Sequence, residues 1–372
     1  MVSICGGLNS QTTEPQKKDE PKSASMNRTL TIGVVGLVHT HVHWILGRPK
    51  QNDIKIVGIV EPNRDLAKRY CKQHGYSMDL VYDSIEKMVE ATNPDAVTAF
   101  NTIYDHLAVV KFCAPRGIHV MVEKPLSVNL DHARQMAELA NKHQIQLLTN
   151  YETSWYPTTH ETYRLVQTKP QLKEIRKINF YTGHPGPIEI GCNPEFVQWL
   201  IDPKQNGGGA LTDFGCYGAN LSTWLLKGEH PISVACVTRQ HKPDIYPNVE
   251  DDATIILSYP KTQVMIQASW NWSHNRKEME LFSKAGFVNC VNGTEMSLML
   301  DEKSGPKSLK LDSMAHPHDP FHLFQKVVKE NHKLSKYDVS SLNNNLVVMR
   351  ILEAAKIAAK EKRIVDWSEV AD

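Results

Sequence analysis

Between residues 29 and 150, apolar runs of strand length alternate with segments of helical periodicity. The runs are Leu30–Val35, Ile54–Val60, Ala96–Phe100, Ile118–Val122 and Ile145–Leu148. Between them, Arg64–His74, Ser84–Ala91, Asp105–Ala114 and Leu130–His143 carry apolar residues at helical spacing. A strand that is apolar along its length must be covered on both faces, and strands joined through helices run parallel. This stretch therefore predicts a parallel sheet between two layers of helix. Asn129 or Ser127 is placed to cap the helix at Leu130, and Asp131 suits its positive end.

Beyond Thr149 the pattern changes. A helix is predicted over Thr158–Gln167, then strands at Glu174–Tyr181, Ser233–Arg239, Asp252–Tyr259, Gln263–Trp270, Glu278–Ser283 and Phe287–Val291. Strands in direct succession read as an antiparallel sheet, and Asn292-Gly293 is a hairpin signal. One helix interrupts them at Gly209–Leu226, and helices near Pro320–Glu330 and Ser341–Glu361 close the chain. At 372 residues the chain exceeds what one core supports. The expected fold class is α/β: a dinucleotide-binding (Rossmann) domain at 29–150, then an α+β domain at 151–372 with a mostly antiparallel open sheet.

Lys plus Arg number 42 and Asp plus Glu 41, without a basic stripe, which excludes nucleic acid as the main partner. No apolar run is long enough to span a membrane. Seven scattered cysteines without a C-x-x-C pair read as free thiols in a reducing compartment, hence a cytoplasmic protein. Residues 1–28 read as a disordered tail or tether, and Met26 directly before the first strand offers a second start. Cys5-Gly6-Gly7 suggests the alternative of a lipid-anchored periplasmic protein, although no charged and apolar leader precedes Cys5.

The first strand ends in Gly36-Leu37-Val38-His39-Thr40-His41, where a dinucleotide turn reads G-x-G-x-x-G. Only Gly36 matches; Val38 and His41 occupy the other two glycine positions. Val38 keeps a pyrophosphate farther from the backbone, but a helix opening near Thr40 still offers free N–H groups. Gly36, Val38, His39, Thr40 and His41 are the candidate phosphate contacts; an ordinary strand-to-helix turn is the alternative. Glu61 ends the second strand, suits a ribose 2′-hydroxyl and repels a 2′-phosphate, favouring NAD, while Arg64 keeps NADP open. His39, His41 and His43 alternate by two without a nearby carboxylate or Cys, so no metal is expected.

The strand Ile118–Val122 runs into Glu123-Lys124-Pro125. Residues just beyond the carboxyl ends of parallel strands line the ligand crevice, and Pro125 holds Lys124 out of helix. In a closed crevice the amine is expected to lose proton affinity and serve as acid or base; a surface ion pair is the alternative. At this block the chain resembles the Gfo/Idh/MocA oxidoreductases. The likeness extends through the glycine turn, Asn101 with His106, the block Gly117–Leu126, and Gly207-Gly208-Gly209-Ala210-Leu211-Thr212-Asp213-Phe214-Gly215. It implies a Rossmann domain followed by an open-sheet domain and a tightly bound NAD(H) or NADP(H) held by Asn101, His106, Glu123 and Lys124 among others. It also implies a sugar or cyclitol substrate, and a homodimer or homotetramer packed through the sheet.

Asp213, Tyr217 and Asn220 share one face of the predicted helix, opposite Phe214, Leu221 and Leu225. Asp, Tyr and Asn are unusual on a solvated face, which points to a site. The resemblance casts Tyr217 as the proton-transfer residue, helped by Lys124, with Asp213 and Asn220 holding substrate hydroxyls. Lys124 is expected to lower the phenol pKa. Asn150-Tyr151-Glu152 at the domain junction is a candidate contact for nicotinamide (Asn150) and substrate (Tyr151). Tyr156 is a candidate sugar-stacking ring, and His184 in the Gly183–Pro187 loop a candidate pocket border. The expected function is hydride transfer between NAD(P) and a carbinol carbon of a sugar, glycoside or cyclitol. The rivals are an NAD-retaining glycosidase acting by oxidation and elimination, and a non-catalytic dinucleotide or sugar sensor.

Overall fold

The structure, a computed structural model, describes residues 29–49, 51–313 and 319–371. The expectations for the tail and Cys5 fall outside them. The first unit is a parallel sheet of β1 (Leu30–Val35), β2 (Ile54–Val60), β3 (Val81–Tyr82), β4 (Ala96–Ala99), β5 (His119–Glu123) and β6 (Leu147–Asn150). Its order is β3-β2-β1-β4-β5-β6. Between the strands lie α1 (Val42–Leu46), α2 (Arg64–His74), α3 (Ile85–Thr92), α4 (His106–Cys113) and α5 (Leu130–His143). The strand order reverses between β1 and β4, and such a switch point opens a crevice at the carboxyl ends of the strands. Asn129, not Ser127, caps α5: its side chain accepts from His132 N at 2.8 Å, while the Ser127 hydroxyl donates to the Asn129 carbonyl.

The second unit begins with α6 (Pro157–Thr168) and β7 (Ile175–Gly183), followed by α7 (Pro194–Leu200), α8 (Pro203–Asn206) and α9 (Ala210–Leu225). Then come β8 (Ser233–Arg239), β9 (Asp252–Ser258), β10 (Gln263–Ser269), β11 (Arg276–Ser283), β12 (Phe287–Cys290), β13 (Glu295–Met299) and β14 (Lys307–Lys310). α10 (Pro320–Lys329), α11 (Leu342–Glu361) and β15 (Val365–Asp366) complete the chain. The sheet runs β14-β13-β12-β11-β7-β10-β9-β8-β15. Its ladders are antiparallel except β7 with β10, which pair in parallel because β7 leaves the sheet through three helices before β8. The Asn292-Gly293 turn joins β12 to β13; the Asn292 side chain accepts from Thr294 N and Glu295 N at 2.9 Å each.

α9 is buried along its whole length. It lies on the sheet through small residues: a Cβ on Gly218 would come within 2.7 Å of Ile266, and one on Gly215 within 3.0 Å of Ile255. α11 covers its other side. α10 packs on the first sheet rather than in the unit where sequence order puts it. Phe321, Phe324 and Val327 join the core of Leu30, Ile32 and Phe100, and Lys329 bonds Asp95 at 2.6 Å. All cysteines among the described residues are free. None of the described helices is long and apolar enough to cross a membrane.

Phe324→Ala should cost about 3–5 kcal/mol through lost burial and the cavity left behind. Urea unfolding of the full chain checks it; a loss under about 1 kcal/mol would show that α10 does not cover this core in solution.

Candidate active site

The carboxyl ends of β5 and β6 face the first turns of α9. Lys124, just past β5, is 5% exposed. Its ammonium donates to the Asp213 carboxylate and, at 2.9 Å, to the Asp213 carbonyl. Trp270, at the end of β10, donates its indole N–H to the other carboxylate oxygen at 3.0 Å. Burial alone drives both charges toward neutrality, but each holds the other: the Asp213 carboxyl lies below its ordinary range and the Lys124 amine above. The expectation that Lys124 loses proton affinity is thus overturned by its carboxylate partner.

Tyr217 is one turn along α9, with the Lys124 ammonium 5.1 Å from its ring centre. Burial first, then the charges of Glu152, Cys216 and Asp213, raise the phenol well above its ordinary 10. This reverses the lowering expected from Lys124, whose charge is spent on Asp213. Tyr151 meets Tyr217 edge-on at 5.6 Å. On the other side Lys277, from β11, sits 5.8 Å from the Tyr217 ring and bonds Glu152 at 2.6 Å. The Tyr156 hydroxyl also bonds Glu152, at 2.5 Å, and its ring packs on the Gly293 turn, so Tyr156 is tied to the wall of the cleft. His184 lies edge-on to Phe214 at 5.0 Å and accepts from Gly186 N through Nδ1.

Asn220 does not join this group. Its amide donates to the Val339 carbonyl at 2.8 Å and to Asn344 at 3.1 Å, and Asn344 donates back to the Asn220 carbonyl. It fastens α9 to α11 and is removed from the candidate substrate contacts.

The residues proposed for the dinucleotide gather at the carboxyl ends of the strands of the first sheet. Gly36 has φ +82°, and a Cβ there would lie 2.7 Å from the Asn101 backbone, so only glycine permits this approach of turn to β4. Glu61 is 4% exposed and accepts from Leu37 N at 3.0 Å and Asn63 N at 2.9 Å. Thr40 sits in the turn ahead of α1, its carbonyl accepting from His43 N. Glu123 accepts from Asn150 at 2.6 Å and pairs with His41 at 2.8 Å. His106 bonds the Leu126 carbonyl through Nδ1. Buried polar atoms here have no partner among the described residues: Asn101 Oδ1, His106 Nε2 and Tyr151 Oη. Such atoms are costly unless a ligand meets them, and an amide- and hydroxyl-bearing dinucleotide fits that need. Over the turn lies α7: Phe196 and Trp199 contact the His39 ring at 5.1 and 5.6 Å, and the Trp199 indole reaches the Val38 carbonyl at 3.5 Å.

Sequence reading found no carboxylate near the histidines, but β5 supplies one: His39, His41 and Glu123 hold ligand-type atoms within 4.8 Å of one another. A metal does not fit them in this arrangement. His39 Nδ1 accepts from His41 N at 3.1 Å, which in the neutral ring leaves Nε2 protonated as a donor. Trp270, Lys277 and α7 carried no signal in the sequence, because each reaches the cleft from a distant strand or loop.

Residues 30–151 match the family described as the oxidoreductase family with an NAD-binding Rossmann fold, and residues 164–289 match the GFO/IDH/MocA C-terminal domain. The chain belongs to the Gfo/Idh/MocA family of oxidoreductases. Curated relatives of this Gfo/Idh/MocA chain include trans-1,2-dihydrobenzene-1,2-diol dehydrogenase from Homo sapiens, 25% identical over 226 residues, 61% of this chain and 63% of the relative. The Xenopus tropicalis protein of that name is 26% identical over 218 residues, 58% of this chain and 61% of the relative. The chain thus matches less than two thirds of the length of these relatives. Solved structures of the same fold include an aldose-aldose oxidoreductase from Caulobacter crescentus (TM-score 0.74, 20% identity, 91% of this chain and 99% of that one). Another is an inositol dehydrogenase homolog from Azotobacter vinelandii complexed with NAD+ (TM-score 0.76, 16% identity, 92% and 99%).

Burial pushes both His184 and His106 from the ordinary 6.5 down to about 4. Between those values the unfolded chain binds protons that the folded chain refuses, so stability falls as pH drops from 6.5 toward 4. The unfolding midpoint followed across this window should decline less steeply in His184→Gln than in the parent. Identical slopes would mean that His184 is not held neutral by the fold.

Proposed function

We propose that the chain transfers hydride between a nicotinamide dinucleotide and a carbinol carbon of a sugar, glycoside or cyclitol. The observation that carries this reading is the buried Lys124–Asp213 pair beneath Tyr217, at the crevice of the NAD-binding fold. Bound there, the nicotinamide supplies the hydride acceptor or donor. Tyr217 and Lys124 both hold their protons through neutral pH. They are therefore set to donate to the oxygen of a developing alkoxide, which makes carbonyl reduction the direction for which the resting site is prepared. Asp213 fixes the ammonium, and Trp270 fixes Asp213. The Phe214 and Tyr217 rings lie 5.6 and 5.1 Å from the ammonium and keep water from the pair.

Glu61 beside the turn supports NAD over NADP. Arg64 does not oppose it, since its guanidinium reaches the Val81 carbonyl at 3.3 Å and Asp83 at 3.9 Å. The sheet face turned away from α9 exposes Val237 and Phe282, which supports a homodimer or homotetramer packed through it.

Turnover across a polyol and keto-sugar panel, read by nicotinamide absorbance with NAD and with NADP, tests the activity. Tyr217→Phe should lower kcat by about 100-fold or more while keeping the fold. Lys124→Ala is the harsher change, because it leaves the Asp213 carboxylate buried and unpaired at a cost of about 3–5 kcal/mol. Near-parental turnover in Tyr217→Phe would defeat the assignment, and release of free sugar without net nicotinamide reduction would favour the glycosidase instead.

A further inference from the structure

Lys277 stands on the covered face of the second sheet. Alternate residues of a strand share a face, and those that share it with Lys277 on β11 are Met279 and Leu281, both buried. Its register partner on β7 is Thr182, whose hydroxyl donates to the Phe214 carbonyl of α9 at 3.1 Å. A lysine on such a face needs a partner, and Lys277 has Glu152 at 2.6 Å. The pair is not sealed: the two side chains are 20% and 29% exposed. An ammonium carries three protons, and this one has no second hydrogen-bond acceptor among the described residues.

Tyr217 has need of such a neighbour. It is 1% exposed, yet every carbonyl reduced takes its proton and leaves a phenolate cut off from water. The groups around it are Lys124 and Glu123 from the end of β5, Tyr151 and Glu152 beyond β6, Asp213 and Cys216 on α9, and Lys277 on β11. Lys124 is bound twice to Asp213, and Glu123 and Tyr151 are buried. Burial pushes the Cys216 thiol up to about 12 and the nearby His184 down to about 4. None of these passes a proton from water near neutral pH. Lys277 is the cation that meets both the solvent and the Tyr217 ring, 5.8 Å from its ring centre.

We infer that Lys277 is the relay that reloads Tyr217 with a proton from solvent after each reduction. The inference rests on the hydride-transfer reading of the cleft. In the reduction the Tyr217 O–H bond breaks and an O–H bond forms on the substrate oxygen. In the reload an N–H bond of Lys277 breaks and the Tyr217 O–H bond forms again, across a water where the gap exceeds a hydrogen bond. A proton from bulk water then restores the ammonium, so one solvent proton is consumed per carbonyl reduced. Oxidation of an alcohol runs the same path outward. Glu152 is the positioning residue: it holds the amine between the solvent and the phenol.

Steady-state turnover of the full chain on the keto-sugar that the parent reduces fastest tests it. Lys277→Ala should lower kcat by at least about tenfold with KM little changed. Its solvent deuterium isotope effect should exceed the parent's, and added imidazole, a small proton carrier, should restore turnover. Lys277→Arg keeps a cation opposite Glu152, but a guanidinium does not give up its proton, so this variant should stay as slow as Lys277→Ala. Parental kcat in Lys277→Arg would show the pair to be structural only and overturn the relay. A loss confined to KM overturns it equally, as does a fall in kcat with neither a larger isotope effect nor rescue by imidazole. A parent that transfers no hydride to any sugar defeats the redox reading itself, and the relay with it.

Discussion

The Lys124–Asp213 ion pair decides how the two domains meet. Both side chains are almost wholly withdrawn from water, 6% and 5% exposed. Either charge alone in that position would cost several kcal/mol, so each is tolerable only opposite the other. One stands at the end of a strand of the first sheet, the other in the first turn of the helix lying on the second. Burying them together fixes the end of β5 against the start of α9, and with it the width of the cleft. Trp270 and the ring of Phe214 complete the enclosure. The pair also sets the protonation of its surroundings: with Lys124 committed to Asp213 and Lys277 to Glu152, burial and the nearby acids keep the Tyr217 phenol protonated.

Sequence alone was most legible where periodicity ran long. The limits of β1, β2, α2 and α5 agree with the apolar pattern to the residue, since full burial of a strand or one face of a helix leaves an unbroken signature. The two-residue β3 and β15 and the four-residue α8 are too short to show any period. α10 has a strongly amphipathic pattern, yet the pattern says only that a face is buried, not against which sheet. Asn220 failed for a related reason: a polar residue on a helix face serves a neighbouring helix as well as a ligand, and here α11 answers it.

The glycine turn shows what substitution at a motif means physically. Val38 and His41 do not open the turn; they change what surrounds it. His41 stacks on Trp44 at 3.8 Å while pairing with Glu123. A surface that glycines would leave bare is furnished with rings and imidazole nitrogens, joined from above by α7. The family's fold is kept around a turn whose surface is made of side chains.

The return of α10 to the first sheet has a consequence for how the protein is made. Residues 29–150 leave the ribosome early and hold all six strands of the first sheet, but the core of Leu30, Ile32 and Phe100 stays incomplete until Phe321 and Phe324 follow. At about 5–20 residues per second, some 170 residues of intervening chain leave that apolar patch open for roughly 10–30 seconds. The N-terminal unit must therefore wait, sticky and incomplete, for a helix encoded near the other end of the message.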